Sequence, residues 1–289
     1  MKKLGKIVMT GKPMPEADAW IRERCEVVSW DEPGVMPRPL LLEWLADAEG
    51  LMSVGAQPVR VDAELLAHAP KLRVIAQSSV GYDNVDVAAC TASGVPFGNT
   101  PGVLTEATAD LTYLLVLSAA RRLKESVAIV QEGRWTPTSP IPLGVDLFGK
   151  TLGMVGLGQI GSAVARRAMA SGMNVIYYNR RRRSPQEENG AVYVDFAELL
   201  TKADFIVVLV PLNEDSRGLF GAAEFAKMKK TAFFINAARG AIVKTEELYA
   251  AVRDGVIAGC ALDVTDPEPI PADHPLLQLP NAFVTPHIG

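Results

Sequence analysis

The chain has 289 residues, of which 48% are hydrophobic and 21% charged. That length suits two domains with sizeable cores, and the balance excludes a disordered or fibrous protein. With 29 basic and 33 acidic side chains the net charge is −4, so neither nucleic acid nor an acidic membrane surface is an expected partner.

Cys25, Cys90 and Cys260 are scattered, with no CxxC pair. They argue against a disulfide framework or a zinc site and fit a reducing cytoplasm. The basic start is followed by only three apolar residues, Ile7, Val8 and Met9, too few for a signal peptide. No apolar run approaches the roughly 20 residues that span a bilayer. The expectation is a cytoplasmic protein.

In chain order, strand and helix patterns alternate. Strands are expected at 6–9, 26–30, 50–54 and 73–77, with helices at 16–24 and 86–93, the latter stopped by Gly94. Residues 1–99 read as one α/β domain. The turn-rich Asn99-Thr100-Pro101-Gly102 marks the boundary. A long helix is expected from 106 to 133, with Leu111, Leu114, Leu115 and Ser118 at helical spacing. Proline and glycine then crowd a loop at 136–149.

From Lys150 the alternation restarts. Strands are expected at 152–155, 174–178, 204–210, 233–236, 257–263 and 283–285, and a helix at 159–171. Asp195 and Glu198 have the spacing of a helix-starting capping box. The alternation predicts parallel sheets covered by helices.

Gly156-Leu157-Gly158-Gln159-Ile160-Gly161 is a G-x-G-x-x-G between a strand and an amphipathic helix. Gly156 permits the tight turn, Gly158 lets a pyrophosphate approach the backbone, and Gly161 lets the helix pack on the strand. The helix start offers unpaired N–H groups and the positive end of a dipole. This context points to a dinucleotide. The next strand usually ends in an Asp or Glu for the ribose of NAD. Here it runs into Asn179-Arg180-Arg181-Arg182-Arg183, guanidinium groups suited to a 2′-phosphate. NADP(H) is therefore favoured, with NAD(H) possible.

Of the three histidines, His68 falls at an expected helix end and His274 in a proline-rich loop; both have bland readings. His287 follows the strand at 283–285, Arg239 follows that at 233–236, and Glu268 follows that at 257–263. Ligands bind beyond the carboxyl ends of such strands.

With these motifs assembled, the sequence resembles the D-isomer-specific 2-hydroxyacid dehydrogenases over essentially its whole length. The resemblance rests on Gly81-Tyr82-Asp83-Asn84-Val85-Asp86, Asn99-Thr100-Pro101-Gly102, the glycine turn, Asn236-Ala237-Ala238-Arg239-Gly240, Ala261-Leu262-Asp263-Val264 with Glu268-Pro269, and Thr285-Pro286-His287-Ile288-Gly289. Gly102-Val103-Leu104-Thr105-Glu106-Ala107-Thr108-Ala109-Asp110 is most similar to the glyoxylate/hydroxypyruvate reductase branch, which includes 2-ketoaldonate reductases.

The resemblance implies an α/β fold of two domains. A smaller flavodoxin-like parallel α/β substrate domain spans 1–99, a Rossmann doubly wound parallel sheet spans 100–287, and 288–289 begin a return to the first domain. It implies reduction of small 2-keto acids to D-2-hydroxy acids. Arg239 would bind the carboxylate and polarise the keto oxygen, His287 would donate the proton, and Glu268 would orient and charge His287. The family's formate-oxidising members carry Gln where this chain has Glu268. Backbone N–H groups of Val54, Gly55, Ala56, Val80 and Gly81 would grip the carboxylate. Val80, Thr105, Gln159, Ile160, Asn179, Arg180, Arg181, Val210, Pro211, Ala237 and Ala238 would line the cofactor, and Asp263 would meet its carboxamide.

The resemblance further implies domain closure that excludes water, and a homodimer built through the cofactor domain by the helix from Glu106 and the loop around Trp135. Family members continue past the residues matching His287 with a helix that completes the first domain, so a further C-terminal segment is expected. Two other readings compete: an NAD-linked D-2-hydroxyacid or D-3-phosphoglycerate dehydrogenase, and a non-catalytic dinucleotide-sensing or corepressor module.

Overall fold

The computed structural model describes residues 3–55 and 59–289, and its chain divides into two compact units, 1–103 and 104–289. Ala56, expected to bind the substrate carboxylate, lies outside the described residues.

In the first unit the described elements alternate: β1 (Lys6–Met9), α1 (Pro15–Arg24), β2 (Glu26–Ser29), α2 (Arg38–Leu45), β3 (Gly50–Ser53), α3 (Ala63–His68), β4 (Val74–Gln77), α4 (Val87–Ala92) and β5 (Phe97–Gly98). The strands are parallel in the order β2-β1-β3-β4-β5, the flavodoxin-like winding. Asp62 and Asp86 start α3 and α4 by accepting the N–H groups of Leu65 and Ala89. The core gathers Val8, Leu41, Leu45, Leu51, Leu65 and Ile75. On β4, Ile75 and Gln77 are buried while Val74 and Ala76 are exposed, as the two-residue period requires when one face is covered.

The unit runs to 103 rather than 99. Hydrogen bonds hold the turn to it: Asn99 Nδ2 donates to the Val80 carbonyl at 2.8 Å and the Thr100 N–H to that of Ser79 at 3.1 Å.

The second unit contains α5 (Thr105–Ala120), α6 (Leu123–Gln131), β6 (Thr151–Val155), α7 (Gln159–Ala170), β7 (Asn174–Tyr178), α8 (Pro185–Glu188), β8 (Val192–Tyr193), α9 (Phe196–Lys202), β9 (Phe205–Val208), α10 (Ala222–Phe225), β10 (Phe233–Asn236), α11 (Thr245–Arg253), β11 (Gly259–Leu262) and β12 (Ala282–Val284). Its parallel sheet has the order β8-β7-β6-β9-β10-β11-β12. The direction of winding reverses between β6 and β9, the switch point of the doubly wound fold.

Both faces of this sheet are buried. Phe205, Val207 and Ile235 enter one core, while Ile206, Val208 and Phe234 enter the other. That explains the unbroken apolar runs of β9 and β10. Among the described residues, no helix is long and apolar enough to cross a membrane.

The single helix expected over 106–133 is two helices. Arg122 adopts φ +51° between α5 and α6, a left-handed residue that ends a helix. The Ala120 carbonyl, released from the helical ladder, accepts the N–H of Val145 at 2.8 Å. Of the residues at helical spacing on α5, Leu111 and Leu115 are buried and Leu114 is exposed. The sequence reading missed α11, although Leu248, Ala251 and Val252 form its buried stripe.

Candidate active site

The glycine turn joins β6 to α7. Gly156 has φ +105°, and a Cβ there would meet the Leu209 carbonyl oxygen at 2.5 Å. A Cβ on Gly161 would lie 2.2 Å from the Gly156 carbonyl oxygen. Both glycines are therefore dictated by packing, Gly156 against the segment after β9 and Gly161 within the turn. A Cβ on Gly158 would meet nothing within 4 Å. Gly158 caps α7 without a side chain, so the N–H groups of the first turn face open space that a side chain would fill. This is the cradle a pyrophosphate requires, and the residues present fit a dinucleotide.

Around the cradle, Gln159 is exposed and Ile160 half-buried. Val210 follows β9 and approaches Gly156, while Ala237 and Ala238 follow β10. Thr105 opens α5. Pro211 is exposed in the loop beyond β9.

Asn179 braces the turn: its Oδ1 accepts the Leu157 N–H at 2.8 Å. The four arginines that follow divide. Arg182 pairs with Glu188 at 2.8 Å and Arg183 with Glu187 at 2.9 Å. Glu188 also accepts the hydroxyl of fully buried Tyr177 at 2.8 Å. Arg180 pairs with Asp215 at 2.9 Å. Arg181 is exposed, with no ion pair among the described residues.

Arg239, Glu268 and His287 come together beyond the adjacent strands β10, β11 and β12. Asn236 shapes the first approach: its Oδ1 accepts the Ala238 N–H at 3.0 Å and its Nδ2 donates to the Arg239 carbonyl at 2.9 Å. Gly240 makes the approach possible, because a Cβ there would fall 1.9 Å from the Thr265 carbonyl oxygen. The 239–240 backbone thereby packs on the segment that carries Glu268.

His287 Nδ1 lies 2.6 Å from Glu268 Oε1. The hydrogen bond to Glu268 raises the His287 pKa, burial opposes it, and the Glu268 charge adds to the rise; Arg239 lowers and Asp263 raises it further. Burial pushes the Glu268 carboxyl up, but the hydrogen bond and charge of His287, the Thr265 N–H and Arg239 together hold it below its ordinary value. Both shifts favour the charged forms of the pair. With Nδ1 committed to Glu268, Nε2 is the nitrogen left to meet a reacting atom.

Asp263, expected beside the cofactor carboxamide, engages its carboxylate with the chain around His287. Oδ1 accepts the Thr285 hydroxyl at 2.7 Å and the Ile288 N–H at 3.0 Å, and Oδ2 accepts the Gly289 N–H at 2.9 Å. This role was invisible in the sequence because its partners lie more than 20 residues away.

The other histidines are structural. His68 Nδ1 contacts the Glu64 carbonyl at 2.9 Å in the last turn of α3. Buried His274 accepts the Leu276 N–H and faces Glu246 at 3.2 Å.

In the first unit the Val54 N–H, expected to meet the substrate carboxylate, donates to Thr10 Oγ1 at 3.0 Å. The carbonyls of Val80 and Gly81 accept from Asn99 and Gln77, which fixes that segment. Among the described residues, the N–H groups of Val80 and Gly81 have no partner. Gly55 has φ +111° and is exposed.

Residues 113–289 match the family described as D-isomer specific 2-hydroxyacid dehydrogenase, NAD binding domain. A glyoxylate reductase of Korarchaeum cryptofilum is 43% identical over 270 residues, which cover 92% of this chain and 81% of that protein. Glyoxylate/hydroxypyruvate reductase B of Klebsiella pneumoniae is 48% identical over 250 residues, covering 86% and 76%. Among solved structures, the NADPH-dependent glyoxylate/hydroxypyruvate reductase of Sinorhizobium meliloti, in complex with NADP and malonate, superposes with a TM-score of 0.85 at 31% identity, covering 98% of this chain and 86% of that one.

Proposed function

Because the chain belongs to the D-isomer-specific 2-hydroxyacid dehydrogenase family, we propose that it is an NAD(P)H-dependent reductase of small 2-keto acids, glyoxylate and hydroxypyruvate foremost, with 2-ketogluconate the larger candidate. The observation that carries this reading is the 2.6 Å contact of His287 with Glu268, with the Arg239 charge acting on both.

The nicotinamide, when bound, supplies a hydride to the keto carbon. The chain's residues do the rest. Arg239 presents a permanently charged fork to the substrate carboxylate and draws electron density toward the keto oxygen. His287 Nε2 delivers its proton to that oxygen. Glu268 keeps the proton on Nδ1 and stabilises the imidazolium until transfer. In the reverse direction neutral His287 removes the hydroxyl proton.

Gly156, Gly158 and Gly161 would hold the pyrophosphate with Gln159 and Ile160, and Val210, Pro211, Ala237, Ala238 and Thr105 would border the rest of the cofactor. Arg180 and Arg181 would take the 2′-phosphate, which favours NADP(H). NADP in the S. meliloti relative supports that choice. A homodimer through the second unit is supported by Leu114, Leu117, Val127, Val130, Trp135 and Leu143, all exposed on α5, α6 and the loop after them. Unpaired, buried Cys25, Cys90 and Cys260 fit a cytoplasmic setting.

The test is oxidation of NADPH and NADH by the purified chain with glyoxylate, hydroxypyruvate and 2-ketogluconate in parallel. Turnover with NADPH preferred is expected. Dinucleotide binding with no turnover on any keto acid would favour the binding-module reading instead.

A further inference from the structure

The sequence places no carboxylate at the end of β7, where an NAD-type ribose site keeps one. The tertiary structure brings one there from elsewhere. Asp215 lies in the loop after β9, and its Oδ2 is 2.9 Å from Nη1 of Arg180, the second residue past β7. Strands β7 and β9 flank β6 on its two sides. The ion pair therefore spans the end of β6, the strand from which the glycine turn departs.

Both partners stand on fixed backbone. Beside Arg180, Asn179 is tied to the Leu157 N–H. Beside Asp215, Asn213 and Ser216 exchange hydrogen bonds, Ser216 Oγ accepting the Asn213 N–H at 2.8 Å and Asn213 Oδ1 the Ser216 N–H at 3.1 Å. Ser216 Oγ also donates to the Pro211 carbonyl at 2.8 Å. The side chains themselves remain open to solvent, at 69% for Arg180 and 74% for Asp215, so a ligand can reach both.

We propose that Asp215 is a cofactor-selectivity residue that narrows the preference for NADP(H) over NAD(H). The inference rests on the assignment of Arg180 and Arg181 to the 2′-phosphate. A phosphate monoester carries about −1.5 to −2 charge near neutral pH, so it must compete with Asp215 for Arg180 and endure its repulsion. A ribose hydroxyl meets no such conflict and can donate to the same carboxylate. Arg182 and Arg183 are held by Glu188 and Glu187, so they do not relieve the competition.

The test is equilibrium binding of NADPH and NADH, followed by fluorescence at low and high salt, for the full chain and for Asp215→Asn, Arg180→Ala and the double variant. Asp215→Asn is expected to raise the ratio of NADH to NADPH dissociation constants about three- to tenfold at low ionic strength, and less at high salt because the charges are exposed. The rise should vanish in the Arg180→Ala background. An unchanged ratio in Asp215→Asn, with Arg180→Ala still weakening NADPH, would overturn the role of Asp215 alone. A fall in NADPH affinity in Asp215→Asn would make Asp215 a support for Arg180 and equally overturn it. NADPH binding indifferent to Arg180→Ala would overturn the phosphate assignment beneath it.

Discussion

Asp263 holds His287 through the histidine's own N–H and through residues on either side of it. The His287 N–H donates to the Asp263 carbonyl at 2.9 Å, and the Asp263 carboxylate takes the next two N–H groups and the Thr285 hydroxyl. His287 sits at φ +54°, a conformation that a residue with a Cβ keeps only when its surroundings impose it. Asp263 is 2% exposed, so these bonds act without competition from water.

Replacing Asp263 with Ala would leave the Ile288 and Gly289 N–H groups without their acceptor and the Thr285 hydroxyl with only the Leu262 carbonyl at 3.3 Å. The expected cost is about 2–4 kcal/mol of stability, together with loss of kcat as His287 leaves its left-handed geometry. Urea unfolding and turnover measured on the same samples check this. Asp263→Asn keeps one acceptor oxygen but faces an N–H donor with an amide, so it should retain more stability than Asp263→Ala. Equal stability of Asp263→Ala and the parent chain would remove the anchoring role.

Glu268→Gln should change the pH profile. The carboxylate raises the His287 pKa, and the proposed reduction needs protonated His287. Without the charge, reductase activity should fall at a lower pH than in the parent, with kcat reduced about 10- to 100-fold. A stability signature follows from linkage. The raised His287 stabilises fully below its ordinary 6.5 and loses that contribution as pH rises through its folded value. The lowered Glu268 stabilises above its ordinary 4.5 and loses that contribution as pH falls through its folded value. The Tm difference between parent and Glu268→Gln should therefore be largest between those two ordinary values and shrink on either side. A difference independent of pH would contradict the couple.

Two glycines of one turn should behave differently. Gly158→Ala adds a methyl group that meets nothing within 4 Å, so Tm should hold while dinucleotide affinity falls on the order of tenfold. Gly161→Ala drives a Cβ to within 2.2 Å of a carbonyl oxygen and should cost about 1–3 kcal/mol of stability. Calorimetry and cofactor titration separate the two effects.

Arg239→Gln should lower kcat/KM about 10²- to 10³-fold by removing the charge proposed to face the keto oxygen. Arg239→Lys should recover only part, because one ammonium does not reproduce the planar fork. Full recovery by Lys would show that charge alone suffices.

Local chemistry made much of this protein legible before any fold was known. The G-x-G-x-x-G reads from three residues of one turn. The strand ends that carry Arg239, Glu268 and His287 read from short apolar runs that stop at polar residues, since a sheet buried on both faces requires such runs. Strand edges shifted by one or two residues, because propensity blurs where hydrogen bonding decides.

Tertiary structure decided what depends on residues far apart in sequence. Arg122 broke the long helix because a loop residue 23 positions on takes the released Ala120 carbonyl. The run of four arginines looked uniform until Glu187, Glu188 and Asp215 claimed three of them. The Asp263 anchor reaches 22 to 26 positions along the chain. A sequence records which donors and acceptors exist, and periodicity says which faces are apolar. Which buried carboxylate meets which N–H follows only when parallel strands set distant segments side by side and exclude the water that would otherwise satisfy them.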